Sequence, residues 1–287
     1  MISLNNTLLS IQIVPETGAS LSYFKYKDQD ILRPATDIRD SKKCSLFIML
    51  PYCGYIVDGV FTYFGIMRHV AQNDSGSHHP INGDAWKASW DVESHNSTQA
   101  TLTYKHLKAS GFPFDYTAKV TYALLDNQLH VTLSLSNPGK LPMPCGMGLN
   151  PYFIHKDQAK LFFKTSHVWY HHNDPIFDRP YETPKEWDFK DGMYLKESFN
   201  TSFGGWDGKA IVSYPDKRVI MTAHSIFHHL SLNTYNASPD CFSLSPVSNT
   251  PDAFNLAALG VINTGIQSIG PGQSITQTIV FEIQEDI

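Results

Sequence analysis

Histidine, cysteine and carboxylate side chains are the groups in this chain that could move protons or hold a metal ion, so their spacing is the first constraint on its chemistry. Histidines occur as neighbours at His78-His79, His171-His172 and His228-His229. Adjacent side chains of an extended strand point to opposite faces, so such pairs rarely give two ligands to one ion, and no metal is expected. The four cysteines, Cys44, Cys53, Cys145 and Cys241, lack CxxC spacing. Reduced, buried thiols in a cytoplasmic protein fit that scatter better than a disulfide framework or a zinc site. No cofactor is implied by any of these patterns. Asp252, in TPDAFN, reads as a turn or cap residue ahead of a general base.

The elements that must position such groups are strands. Tyr116 to Leu125 forms one run that turns at Asp126-Asn127 and returns through LHVTLSLSN, placing Leu129, Val131, Leu133 and Leu135 on one face. Strict alternation of this kind marks a half-buried strand. The same period recurs in TLLSIQIV, TQATLTYKHL, KAIVSY, RVIMTA and the terminal SITQTIVFEI. No long stretch shows helical spacing with capping signals. The pattern predicts an all-β protein, a large antiparallel β sandwich, organised as a single domain over residues 1–287. The segment from Trp169 to Asp191, rich in proline, aromatics and charge, is expected to be a long ordered loop of the kind that forms lids or pocket walls.

Six strings then appear in a fixed order: PYCGYIVDGVFTYFG at 51–65, HPINGDAWKASWDV at 79–92, GFPFDYT at 111–117, GMGLNPYF at 146–153, FNTSFGGWDG at 199–208 and SLSPVSNTPDAFN at 243–255. Together they resemble the aldose 1-epimerase (galactose mutarotase-like) family over nearly the whole chain. The resemblance implies the family's β supersandwich and a small-molecule sugar as partner. Mutarotases open and reclose a sugar ring, with a glutamate as base and a histidine as acid, while a second histidine, an arginine and an aspartate bind hydroxyls.

At the matching positions this chain departs from that pattern. Gly54 and Tyr55 occupy an Asn-Arg pair, Asn82 and Asn150 stand at the two histidines, Asn200 stands at the aspartate, and Ser245 stands at the glutamate. Every charged or titrating group at these positions has become neutral. An asparagine amide still donates and accepts hydrogen bonds at about the reach of an imidazole or carboxylate, but it cannot shuttle a proton. Serine is no substitute base without a neighbour to activate it. The expected substrate-binding set is therefore Tyr55, His79, Asn82, Asn150, Asn200 and Ser245, with no catalytic residue assigned. The resemblance implies a sugar-binding protein with weak or absent mutarotase activity. The alternative is an active isomerase whose proton transfers have moved to residues such as His79, Asp84, His155 or Asp252. Trp86, Trp90, Trp206, Tyr152 and Phe153 are expected mostly in the core.

The bulk composition excludes other classes. Forty-two per cent hydrophobic and 17% charged residues suit a globular chain with a substantial core. A net charge of −5, with no basic run longer than Lys42-Lys43, offers no footprint for nucleic acid or an anionic membrane. The N-terminus lacks the basic start and small-residue cleavage site of a secretory signal, and no run approaches the roughly 18 apolar residues of a membrane helix.

Overall fold

The computed structural model describes residues 1–169, 179–196, 198–223, 226–234 and 240–285. Two large antiparallel sheets face each other. One has eleven strands, and its central run is Ser20–Tyr26, Leu46–Met49, Gly148–Phe153, Phe242–Val247, His229–Asn233, Asn200–Gly204 and His167–Trp169 in spatial order. The other has nine strands, with Lys209–Ser213, Lys217–Ala223, Ser274–Glu285, Gln128–Ser136, Tyr116–Leu125 and Gln99–His106 at its centre. One α-helix is found among the described residues, the six-residue Ala253–Ala258. No helix among them is long and apolar enough to cross a membrane.

The hairpin read from the sequence is present, with Val120 opposite Leu133 and Tyr122 opposite Val131. Leu129, Val131, Leu133 and Leu135 are fully buried, as their alternation requires. Each such side chain taken from water stabilises the fold by roughly 1.5–3 kcal/mol before the entropy of ordering is subtracted. The two sheets meet in one continuous apolar cluster to which both contribute. Rings bridge them at Phe24–Phe281 (6.4 Å) and Phe163–Phe203 (5.2 Å), and the Tyr122 hydroxyl donates to the Ala19 carbonyl. TLLSIQIV, TQATLTYKHL, KAIVSY, RVIMTA and SITQTIVFEI each contain a strand at the predicted place.

The larger sheet has a second apolar layer on its outer face, and this is what positions the site. In Leu46–Met49 the side chains of Leu46 and Ile48 enter the main core, whereas Phe47 and Met49 join Cys53, Trp86, Tyr152 and Val247 in a separate cluster. The same alternation sends Leu149 and Phe153 inward and Tyr152 outward, and Leu244 inward and Val247 outward. Strands buried on both faces leave few polar positions, so the polar residues among the outward ones stand out. Of the predicted loop over 169–191, residues 170–178 lie outside the described residues, as do His171 and His172; the remainder includes a short strand at Tyr181–Glu182 and two single turns of 3-10 helix, Lys185–Trp187 and Phe189–Asp191.

Candidate sugar-binding cleft

The outward positions of four neighbouring strands form two polar rows across the larger sheet. In the first, Asn150 and Ser245 face each other, Ser245 pairs with Ser231, and Ser231 pairs with Ser202. In the second, Tyr152 pairs with Ser243, Ser243 with Asn233, and Asn233 with Asn200. All eight line one cleft of about 520 Å³, walled by Phe47, Met49 and Tyr55 and by Asn82 from the HPINGDAW loop. That volume lies within the ordinary range for small-ligand sites.

Contacts on this floor are specific. Ser245 Oγ donates to Asn150 Oδ1 at 3.1 Å, and Asn233 Nδ2 donates to Asn200 Oδ1 at 3.0 Å. Asn150 Nδ2 leans electrostatically on the Tyr152 phenol but meets no described group in hydrogen-bond geometry. Burial raises the Tyr152 phenol pKa, against the pull of the Arg33 guanidinium, whose carbon lies 4.0 Å from the ring centroid, and of the Asn150 amide. Ser202 Oγ is likewise buried and meets no partner among the described residues.

Two asparagines hold the Cys53–Tyr55 loop against the floor. Asn82, at a φ of 58°, donates its backbone N–H to the Gly54 carbonyl at 2.7 Å and accepts the Gly54 N–H on Oδ1 at 2.9 Å. Asparagine tolerates this left-handed conformation better than most residues. Asn249 accepts the Cys53 N–H on Oδ1 and donates Nδ2 to the Cys53 carbonyl. Gly54 itself has a φ of 74°, and a Cβ there would come within 2.9 Å of Pro251, so the Gly-Tyr pair is fitted to this loop. The tryptophans of HPINGDAW and its continuation serve the loop from inside: Trp86 Nε1 donates to the Gly83 carbonyl and Trp90 Nε1 to that of Ala85.

Of the residues expected from sequence, Tyr55, Asn82, Asn150, Asn200 and Ser245 line this one cleft. His79 does not. It packs behind Tyr55, with ring centroids 5.5 Å apart, and its Nδ1 accepts the Asp58 N–H at 3.0 Å. The candidates for relocated proton transfer also lie elsewhere. Asp252 is a brace: it donates its N–H to the Tyr55 carbonyl and accepts from Val57 N–H and Asn255 Nδ2 on Oδ1. Asp84 accepts from the Tyr116 hydroxyl and sits 2.7 Å from His106 Nδ1. His155 pairs with Asp240 at 3.3 Å beside a different cavity.

Sequence reasoning missed the charged corner of the cleft. Lys42 and Asp74 both line it, joined at 2.6 Å, with Lys87 a further 3.6 Å contact. Burial opposes ionisation of Asp74, but the two lysines outweigh it and hold its carboxyl below the usual range. Nothing in the sequence links two loop residues 32 positions apart. Ser202, Ser231 and Ser243, by contrast, had a signal: small polar residues two positions apart in strands whose other face is Leu and Phe, with Thr201 the exception.

The histidine pairs divide. His229 opens the strand His229–Asn233 and is buried, whereas His228 lies just before that strand and is exposed. His78 and His79 lie in a loop instead, with rings 4.8 Å apart, and both approach Asp58; the ligand atoms of the three lie within 4.8 Å of one another. This is the group among the described residues that could hold an ion, although His79 Nδ1 is occupied by the Asp58 N–H.

The family comparison agrees with this geometry, since the sequence model described as Aldose 1-epimerase matches residues 1–282. The chain belongs to the aldose 1-epimerase family. It is 26% identical over 281 residues to the uncharacterized Escherichia coli (strain K12) protein YphB, covering 94% of each. The crystal structure of a candidate aldose 1-epimerase from Escherichia coli K12 superimposes with a TM-score of 0.90 at 23% identity, covering 99% of this chain and 98% of the other. A galactose mutarotase-like protein from Clostridium acetobutylicum gives 0.87 at 15% identity, with 99% and 95% covered. A galactose 1-epimerase from Lactobacillus acidophilus NCFM gives 0.79 at 16% identity, with 99% and 94% covered. At these identities the structural likenesses speak for the fold.

Proposed function

We propose that this member of the aldose 1-epimerase family is a single-domain, cytoplasmic sugar-binding protein that holds an aldose on the Asn/Ser floor and interconverts its anomers weakly or not at all. The observation that carries this reading is the contact between Asn150 and Ser245, the positions that resemble the family's acid and base. Ring opening needs one group to take the anomeric proton and another to protonate the ring oxygen, each titrating near the working pH. An amide and an unactivated hydroxyl do neither. No histidine is among the described cleft residues, and Asp74 is held in its ionised form by lysines, which makes it a weak proton acceptor. What the floor does offer is a dense set of neutral donors and acceptors, which suits neutral hydroxyls.

The test is to follow anomer interconversion by polarimetry or NMR for a panel of aldoses, beside a calorimetric titration with the same sugars. The expected result is saturable binding with interconversion close to the uncatalysed rate. Enzyme-like interconversion would overturn the non-catalytic part of the reading; if Asp74→Asn then abolished it, catalysis would have moved to the one carboxylate among the described cleft residues. Absence of binding across the panel would overturn the whole reading.

A further inference from the structure

Two loops that pair at Tyr55 and Ile81 carry a group of metal-ligating side chains, Asp58, His78 and His79, none of which lines the cleft. Asp58 Oδ1 lies 3.6 Å from His79 Nδ1 and 3.9 Å from His78 Nε2. One ligand atom from each of the three lies within 4.8 Å of the other two. Around a tetrahedral ion with metal–ligand distances of about 2.0–2.1 Å, ligand atoms stand about 3.4 Å apart. The two Asp58 distances therefore need to close by about half an ångström at most, and a turn of the His78 ring closes the third. The side chains that must move are free to do so, since His78 is 86% and Asp58 71% exposed. Apart from these contacts, neither the His78 ring nor the Asp58 carboxylate is committed to a hydrogen bond among the described residues.

The backbone beneath them is already fixed. Ile56 N–H donates to the Pro80 carbonyl, joining the two loops, and Ser77 Oγ donates to the His79 carbonyl at 2.7 Å. Val57 N–H is held by Asp252 Oδ1, and Asp58 sits at a φ of 52°, a conformation aspartate tolerates. His79 Nδ1 accepts the Asp58 N–H, which places the ring proton on Nε2 and leaves Nδ1 with the bare lone pair that a metal requires. An ion at Nδ1 displaces that N–H, but the bond is exposed, so water takes the donor and little is lost. Asp252 lies within electrostatic reach of both His79 and Asp58 and adds a second carboxylate behind the three. Two imidazole nitrogens and one carboxylate oxygen, with solvent free to fill the remaining positions, make a three-ligand zinc set. Magnesium and calcium ions call for oxygen ligands instead.

We propose that Asp58, His78 and His79 bind a transition-metal dication, Zn²⁺ by their donor set, and that the ion ties the loop carrying Tyr55 to the loop over 77–80. The site stands whether or not the cleft binds sugar. Calorimetric titration of the untagged, chelator-treated chain with ZnCl₂ should show one site with a Kd below about 100 μM. CoCl₂ in its place should bring visible d–d absorption, whereas MgCl₂ and CaCl₂ should neither bind nor compete. Changes to groups that merely orient a ligand cost metal sites about 10–100-fold in affinity, so loss of a ligand in His78→Ala or Asp58→Asn should cost at least as much. Both side chains are exposed and asparagine keeps the left-handed φ, so the metal-free urea midpoint should not move in either variant. Added Zn²⁺ should raise that midpoint in the wild type and leave both variants unchanged. Zn²⁺ binding that survives in both variants would put the ion on other histidines and overturn the site. Wild-type binding weaker than about 100 μM, or equal affinity for Mg²⁺, would overturn it too, and those measurements decide even where a variant folds poorly.

Discussion

Ser245 Oγ donates to Asn150 Oδ1 across neighbouring strands at 3.1 Å, so the two positions that resemble a mutarotase's base and acid are bonded to each other. The bond is short-range by construction: residues directly opposite in an antiparallel pair carry Cβ atoms about 5 Å apart, within reach of serine and asparagine. It satisfies the hydroxyl of Ser245, a residue 1% exposed, without introducing a charge into a floor that has none. A glutamate in that place would be a buried carboxylate in need of a partner, and an imidazolium at position 150 is the partner the geometry supplies.

The first prediction follows from that coupling. Ser245→Glu alone should lower stability by about 1–3 kcal/mol, because a buried carboxylate beside a neutral amide is incompletely paired. Asn150→His with Ser245→Glu should recover much of that loss. In activity, each single variant is expected to raise anomer interconversion by less than about tenfold, and the double variant by about 10² or more, since both proton transfers must be served together. A double-mutant cycle in urea unfolding and in polarimetric rate checks both. A double variant that folds and binds sugar with no rate gain would show that the cleft has diverged beyond this pair.

How much of this was legible in the sequence depends on which part is asked about. The sandwich was, because strands such as Gln128–Ser136 alternate without interruption and each buried position is apolar. The convergence of Tyr55, Asn82, Asn150, Asn200 and Ser245 was legible only through ordered strings, since no periodicity links residues from loops and three separate strands. His79 illustrates the limit of that method: it lies within a matching string yet packs one layer behind Tyr55, because a string fixes the loop's path and not which of its side chains reaches the cleft. The Lys42–Asp74 pair was illegible, being a contact between two loops with no spacing rule. The convergence of His78 and His79 on Asp58 was missed because alternation was applied to residues that do not lie in a strand.

A second prediction concerns Asn82, whose replacement for a histidine has a structural reason as well as a chemical one. Its side chain and backbone bond Gly54 reciprocally, and its φ of 58° suits asparagine. Asn82→Ala removes the side-chain acceptor and adds left-handed strain, so a loss of about 1–3 kcal/mol is expected. Asn82→Gly keeps the conformation and loses only the acceptor, so it should cost less. Chemical denaturation of the three proteins gives the order wild type, Gly, Ala; an Ala variant as stable as wild type would mean that the Gly54 contact is not what holds this loop.

A third prediction concerns the thiols. Burial pushes Cys44 up to about 11 and Cys145 up to about 12, and drives Cys53 higher still. Thiolate is the reactive form, so these groups should resist modification in the folded state. A thiol-specific reagent should label none of the three until denaturant is added; rapid labelling of the native protein at Cys145 would contradict the burial described here.

The last prediction is the pH dependence of stability. Burial, reinforced by the nearby His167, lowers the His229 pKa to about 4, while its Nε2 faces the Asn263 carbonyl at 3.1 Å and so donates from the neutral ring. A histidine with a folded-state pKa below its unfolded value of about 6.5 binds fewer protons when folded, so its contribution is fully present above about pH 6.5 and is lost as pH falls toward 4. The loss is on the order of 3 kcal/mol at the lower end of that window. His167, also lowered by burial, acts in the same direction. His106 has the opposite sign: burial opposes its charge, but Asp84 outweighs burial and raises its pKa, so its contribution is full below about 6.5 and is lost as pH rises through the folded value. Net stability should therefore fall steeply on acidification from about pH 6.5 to about pH 4, and His229→Gln, which cannot take up a proton, should flatten that slope even if it is less stable at neutral pH. Urea midpoints measured across the window for both proteins decide the matter, since a wild-type curve that stays level there would mean His229 titrates normally and is not held neutral by its surroundings.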